Sequence, residues 1–270
     1  MNKGLYTLAF ILLSIGISMC PEVAHAQRSA LRNSKSLGKT ETLIYDVDFS
    51  WGFIRGKVGE ARLINKPTTN KHYFTQLLFQ TQGIGDQFYP MRDTLEALYS
   101  PSKQLMRFEK RTNEKNFYLI SETVFSYKDS GAIVAKIKEW TPTAVRIDTV
   151  YHINNKEVAV VDMLSTMALV RSINPETLRI GTRYKFVVPD GKNIVYADYE
   201  LSGYESYKLE NGEVISTLKV DININDKAFE NSRKSVQVWL TRDESLTPIL
   251  IKAKLKFGYA ECRMTSSYRS

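Results

Sequence analysis

From residue 41 onward the chain alternates apolar and polar side chains with a period of two, and that pattern allows few folds. Leu43, Tyr45, Val47 and Phe49 alternate with Ile44, Asp46 and Asp48. Leu218, Val220, Ile222 and Ile224 alternate with Lys219, Asp221, Asn223 and Asn225. Towards the end Ile249, Ile251, Ala253, Leu255 and Phe257 fall on one side, and Lys252, Lys254 and Lys256 on the other. Successive side chains of a strand point to opposite faces, so each such strand has one buried and one wet face, as in antiparallel sheets. The pattern predicts about twelve strands in a single mainly β domain, a curved antiparallel sheet forming a half-barrel or open barrel. Turn signals divide the runs. Asn211-Gly212 predicts a type I′ hairpin with positive φ at both residues, and Asp129-Ser130-Gly131 and Pro189-Asp190-Gly191 predict further turns.

One segment has a different period. Over residues 160–173 the apolar positions Val160, Met163, Leu164, Met167 and Val170 recur at offsets of three and four, which is helical spacing. Asp162 is placed to cap the start, and Pro175 follows the end. The expectation is one central helix packed into the concavity of the sheet.

The N-terminus bears on compartment. Lys3, an apolar run from Leu5 to Met19, and Ala24-His25-Ala26 follow the order of a secretory signal, which predicts a cleaved peptide over residues 1–26. The apolar run is shorter than the roughly 20 residues a spanning helix needs. Cys20 offers a lesser alternative, lipoprotein processing, although Met19 is bulky for the position before a lipidated cysteine. Residues 27–40 read as a flexible polar leader and residues 41–270 as the single β-rich domain. The expected location is periplasmic or otherwise exported, with no transmembrane span in the mature chain. An outer-membrane β-barrel fits less well, because the apolar helix would need cover, several strands are short for a bilayer, and the final Ser-Tyr-Arg-Ser lacks a closing aromatic.

The formal charge is +8. Outside the cytoplasm such an excess meets anionic lipid headgroups or acidic polysaccharide, and nucleic acid is a poor partner for an exported chain. The excess also serves solubility alone. After cleavage only Cys262 remains, so no internal disulfide can form, and its apolar neighbours on the same face mark it as a buried small hydrophobe.

No chemistry stands out. His72 and His152 lack companions at metal-ligand spacing, so no metal is implied, and nothing points to a cofactor. There is no Gly-x-Ser-x-Gly elbow. Gly83-Ile84-Gly85 lacks a third glycine and a following helix, so it is no dinucleotide signal. Asp46 and Asp48 share a strand face and read as solvated surface, leaving no catalytic residue to name.

Glu41-Thr42-Leu43-Ile44-Tyr45 with Gly56-Lys57-Val58-Gly59-Glu60-Ala61, Asp162-Met163-Leu164-Ser165 with Arg171, and Val238-Trp239-Leu240-Thr241 with Asp243, Pro248 and Phe257-Gly258 form an ordered set of short segments. Together they resemble one exported bacterial family, domain of unknown function family 3108. The resemblance implies an exported β-rich protein without assigned activity, shaped like the half-barrels of lipoprotein carriers. Within it Asp162 would be a helix cap and Trp239 a core anchor. Arg171, near an apolar helix face, would need a partner, either Asp162, Asp243 or an anionic ligand group.

Two functional expectations follow, and neither is enzymatic. The first is a protein holding a lipid or other amphipathic small molecule in its concave sheet, with Arg171, Trp239, Asp162 and Asp243 as candidate lining residues. A concave face filled by protein side chains would count heavily against it. The second is a structural or assembly protein whose Lys252, Lys254 and Lys256 meet an anionic envelope component. A hydrolase of envelope polysaccharide or lipid ranks last, because no convergent acid pair or Ser/His pair is visible.

Overall fold

The computed structural model describes residues 31, 34, 36–52, 54–154, 158–174, 179–226, 228–229 and 233–270. The expected signal peptide, its cleavage site at Ala26, Cys20, half of the leader and Pro175 lie outside the described residues.

Fifteen strands form one sheet among these residues. The first wing holds β1 (Glu41–Trp51), β2 (Ile54–Pro67), β3 (Tyr73–Thr81), β4 (Arg92–Tyr99), β5 (Leu105–Glu114), β6 (Phe117–Tyr127), β7 (Ala132–Thr141) and β8 (Ala144–Asn154). The second holds β9 (Ala159–Val160), β10 (Arg183–Asp190), β11 (Asn193–Lys208), β12 (Val214–Ile224), β13 (Val236–Thr241), β14 (Pro248–Leu255) and β15 (Gly258–Arg269). A short helix, α1 (Ile84–Phe88), follows β3, and α2 (Met163–Val170) follows β9.

Neighbours in sequence pair antiparallel, apart from the parallel pair β9–β10 and from β8 and β9, which form the two edges, and β1 pairs with β15 at the centre. The wings therefore curl from one central seam, and their free edges approach each other. There the Tyr151 hydroxyl donates to the Gly191 carbonyl at 3.4 Å, and Gly191 packs against Glu139 and Ile147. The shape is a nearly closed barrel, not the half-barrel but near the open-barrel form of the expectation. Fifteen right-twisted strands, with register shifts at Ile44/Tyr45, Val47/Asp48 and Leu201/Gly203, supply enough curvature to bring the edges together.

The apolar side of the alternation faces inward. Leu43, Leu95, Tyr99, Phe186, Val220 and Val238 are fully buried in one core. This is the inverse of a barrel whose outer wall meets lipid. Among the described residues no helix is long and apolar enough to cross a membrane. Cys262 is buried, and burial pushes its thiol up to about 12, as suits an inert core residue.

All eight residues of α2 are buried, so it is enclosed on every side rather than packed by one face. It is shorter than the 160–173 expected, because Ala159–Val160 pair as β9. Asp162 caps it as anticipated, accepting from the Leu164 and Ser165 amides at 2.6 and 2.9 Å and from the Ser165 hydroxyl. The β11–β12 hairpin departs from type I′: only Gly212 takes positive φ, in a longer loop where Asn211 accepts from the Glu213 amide.

A helix does follow Gly83, contrary to expectation, but it has only five residues. Gly85 is there for close approach, since a Cβ would lie 2.1 Å from the Val58 carbonyl oxygen. Gly85→Ala is expected to cost about 2 kcal/mol or more by forcing α1 off β2. Thermal unfolding would register this as a clear drop, and an unchanged midpoint would refute the packing argument.

Candidate functional site

Three places gather the polar side chains, and the first lies across one end of the barrel. Arg171, directly after α2, is 4 % exposed. Its guanidinium donates twice to Glu41, at 2.7 and 3.1 Å, and twice to the Ser245 carbonyl, at 3.3 and 3.1 Å. Glu41 also accepts from Arg269 at 2.9 Å and Asn65 at 3.3 Å. Burial works to raise the Glu41 carboxyl, but Arg171 and then Arg269 outweigh it and hold it below the ordinary carboxylate value. The partner of Arg171 is thus Glu41, not Asp162 or Asp243. Asp162 faces Tyr99 through Ser165, whose hydroxyl lies 2.9 Å from the phenol oxygen. Asp243 accepts from Thr241 at 2.9 Å and from the Ser245 amide at 2.8 Å, which builds the β13–β14 turn beside this knot.

Trp239 sits on the other side of the sheet. Its neighbours Val238 and Leu240 enter the main core, whereas Trp239 packs with Ile249 and Leu250 in a separate cluster. Its indole N–H donates to Glu205 at 2.8 Å, and the Lys219 ammonium lies 4.8 Å from the ring centroid. Arg171 and Trp239 therefore do not line one site.

Next to Trp239, the outer face carries a row of directly opposed polar residues crossing β10 to β15: Arg183, Glu200, Asp221, Gln237, Lys252 and Glu261. They line an open groove of about 1080 Å³ with Arg233, Lys234, Lys254 and Tyr259. Five basic side chains face three acidic ones there. Arg183 pairs with Glu200 at 2.9 Å, Lys234 with Asp221 at 3.0 Å and Lys252 with Glu261 at 3.0 Å. Of the three lysines expected on one face, Lys252 and Lys254 line the groove, and Lys256 stands in the adjoining β14–β15 turn. Asp46 and Asp48 lie on the same outer surface, Asp46 with Lys57 at 2.6 Å and Asp48 3.8 Å from Arg263.

The third place is inside the barrel, at the end opposite Arg171. Asp93 and Glu114 are 1 % and 0 % exposed. Asp93 accepts from the Asn113 amide at 2.8 Å, and Glu114 from the Tyr89 hydroxyl at 3.2 Å. The remaining oxygens, Asp93 Oδ2 and Glu114 Oε1, have no donor among the described residues. Burial, and then the charge of Asp93, push Glu114 up to about 8, against the pull of Lys110. Burial likewise raises Glu139 and takes Asp190 to about 6, with Lys110 again opposing. Nothing in the sequence flagged this set, since Asp93, Glu114, Glu139 and Asp190 come from four separate strands. Both members of the central pair are closed to solvent, so the arrangement is not a substrate-facing acid pair. No group of three or more His, Cys, Asp or Glu side chains is placed to hold a metal among the described residues.

Comparison with known proteins adds family and fold. The family model described as "Protein of unknown function (DUF3108)" matches residues 44–265. A solved structure, a β-barrel-like protein of domain of unknown function DUF1849 from Brucella abortus, is similar with a TM-score of 0.56 at 8% identity. The match covers 86% of this chain and 98% of that one, and at this identity it speaks for the fold alone. A search of curated proteins finds no match.

Proposed function

The chain belongs to the DUF3108 family, which brings no assigned activity, and we propose that it is a non-enzymatic exported protein of the cell envelope whose outer groove meets an anionic partner. The observation that carries this reading is the groove itself, a concave polar surface of about 1080 Å³ in which basic side chains outnumber acidic ones. An overall charge of +8 favours encounter with phosphate or carboxylate groups. The interior is a weaker candidate for ligand: α2 and side chains such as Tyr99, Phe186 and Met91 occupy the concave face. In the groove the pairs Arg183–Glu200, Lys234–Asp221 and Lys252–Glu261 fix the cations in place, so little side-chain entropy remains to be lost on binding.

The test is binding of a fluorescent uronate or phosphate polymer, followed by anisotropy at low and high salt. The wild-type protein is expected to bind and to weaken as salt screens the contact. The triple variant Lys252→Glu, Lys254→Glu, Lys256→Glu is expected to lose at least about tenfold in affinity, with little change in stability because these side chains project outward. Equal affinity of the two proteins would remove the groove from consideration.

A further inference from the structure

The rim of the barrel next to the groove combines exposed aromatic and basic side chains. Leu255 pairs with Gly258, so Lys256 and Phe257 form the two-residue turn between β14 and β15. Phe257 is 48% exposed, although the alternation placed it on the inner face, and Tyr259 is 56% exposed. Each lies beside a lysine: Lys256 Nζ is 5.9 Å from the Phe257 ring centroid, and Lys254 Nζ is 6.0 Å from that of Tyr259.

Strand pairing carries this rim further. Tyr259 is opposite Ser50 near the end of β1, and Ser50 is opposite the exposed Arg55 near the start of β2. Next to that start sits α1, whose Gly85 touches Val58. Its Ile84 and Phe88, four residues apart and so on one helix face, are 41% and 58% exposed. Four large apolar side chains thus stand at the same end of the barrel, amid Arg55, Lys254 and Lys256. The opposite end is covered by α2 and the Arg171 knot.

We infer that this rim docks on an anionic lipid surface, with Phe257, Tyr259, Ile84 and Phe88 entering the interface and Lys254, Lys256 and Arg55 contacting headgroup charges. The inference rests on the anionic-partner reading and names the partner. Two features select a bilayer. Aromatic rings with polar surroundings favour the depth of the headgroups, and lysines beside them gain from a negative surface potential. A soluble polyanion would use the charges and leave the apolar side chains exposed to water.

Co-sedimentation with vesicles of phosphatidylcholine, with and without phosphatidylglycerol, tests it. Wild-type protein is expected to bind the phosphatidylglycerol vesicles and not those of phosphatidylcholine alone. Phe257→Ser with Phe88→Ser should weaken that binding at least about tenfold, given the apolar area involved. Both side chains are outside the core, and a thermal melt checks that the fold persists. Tyr259→Trp supplies a second reading: its fluorescence should shift to the blue on vesicles and be quenched by lipids brominated in the acyl chain, above the wild-type background. Undiminished binding by the serine variant, or an unquenched Tyr259→Trp, overturns insertion of the rim. Binding to the soluble polymer but not to vesicles overturns the lipid proposal and leaves the groove reading standing. Binding to neither overturns both.

Discussion

Replacing Glu41 with alanine is expected to destabilise the protein by about 3–5 kcal/mol, the usual consequence of stranding a buried charge. Glu41 is 3% exposed and accepts from two guanidinium groups, and the Arg171 side chain is 2% exposed. Without the carboxylate, Arg171 keeps, among the described residues, the Ser245 carbonyl. A loss of this size is a large share of the roughly 5–15 kcal/mol that holds a domain folded. The knot also joins four distant parts of the chain, the start of β1, the end of α2, the β13–β14 turn and the end of β15, so its loss should loosen the central seam. Urea unfolding measures the effect. The conservative Glu41→Gln should fall between wild type and alanine, because its amide retains an acceptor without the charge. The double variant Glu41→Leu with Arg171→Met should recover much of the loss, since an apolar pair removes both desolvated charges. A cost below about 1 kcal/mol for Glu41→Ala would mean that the knot contributes no more than a surface ion pair.

Glu114→Gln is expected to stabilise the protein at alkaline pH and to flatten its pH profile. Two fully buried carboxyl groups, each with one oxygen lacking a donor among the described residues, are best satisfied when a proton lies between Asp93 and Glu114. Burial and the neighbouring charge raise Glu114 from 4.5 to about 8. Because the folded value exceeds the unfolded one, the stabilisation from this proton is complete below pH 4.5 and declines as pH rises, until it is lost above about 8. At about 1.4 kcal/mol per pKa unit the full swing is on the order of 5 kcal/mol. Glutamine supplies the same donor permanently. Its amide can reach Asp93 while its carbonyl accepts from Tyr89, as the protonated acid does. Unfolding of both proteins from pH 5 to pH 9 should show the variant gaining on the wild type with pH, and Asp93→Asn offers an independent check from the other side of the pair. Infrared spectra at pH 7 should contain a protonated-carboxyl band that vanishes in Glu114→Gln. Parallel pH profiles would show that no proton is shared. Glu41 has the opposite sign: its folded value is depressed, so its contribution is complete above pH 4.5 and is lost on acidification. The two slopes predict greatest stability in the mildly acidic range.

The residues that the sequence exposed most clearly were those with local explanations. Period-two alternation identified the inner and outer faces of the strands, and the Asp162 cap was legible because a cap depends on residues two and three positions away. Lys252 and Lys254 were legible as one strand face for the same reason, whereas Lys256 falls in the turn. Phe257 was misplaced because a turn ends the alternation two residues earlier than the apolar pattern suggests. Strand number and barrel closure were underestimated, since curvature accumulates from twist and bulges that leave little trace in composition. The partner of Arg171 lies 130 residues away, and no spacing rule links the two.

The sequence by itself determined the mainly β class, the burial of one side of each strand and the central helix. These follow from side-chain direction along an extended or helical backbone, which nearest neighbours control. Only the tertiary structure decided that β1 and β15 meet, that the sheet nearly closes, and that Arg171 and Trp239 face different sides of it. It also brought Asp93 to Glu114 and assembled the groove from six strands. Each of these depends on long-range strand order and register, where a polar residue acquires its partner from another strand rather than from its neighbours in the chain.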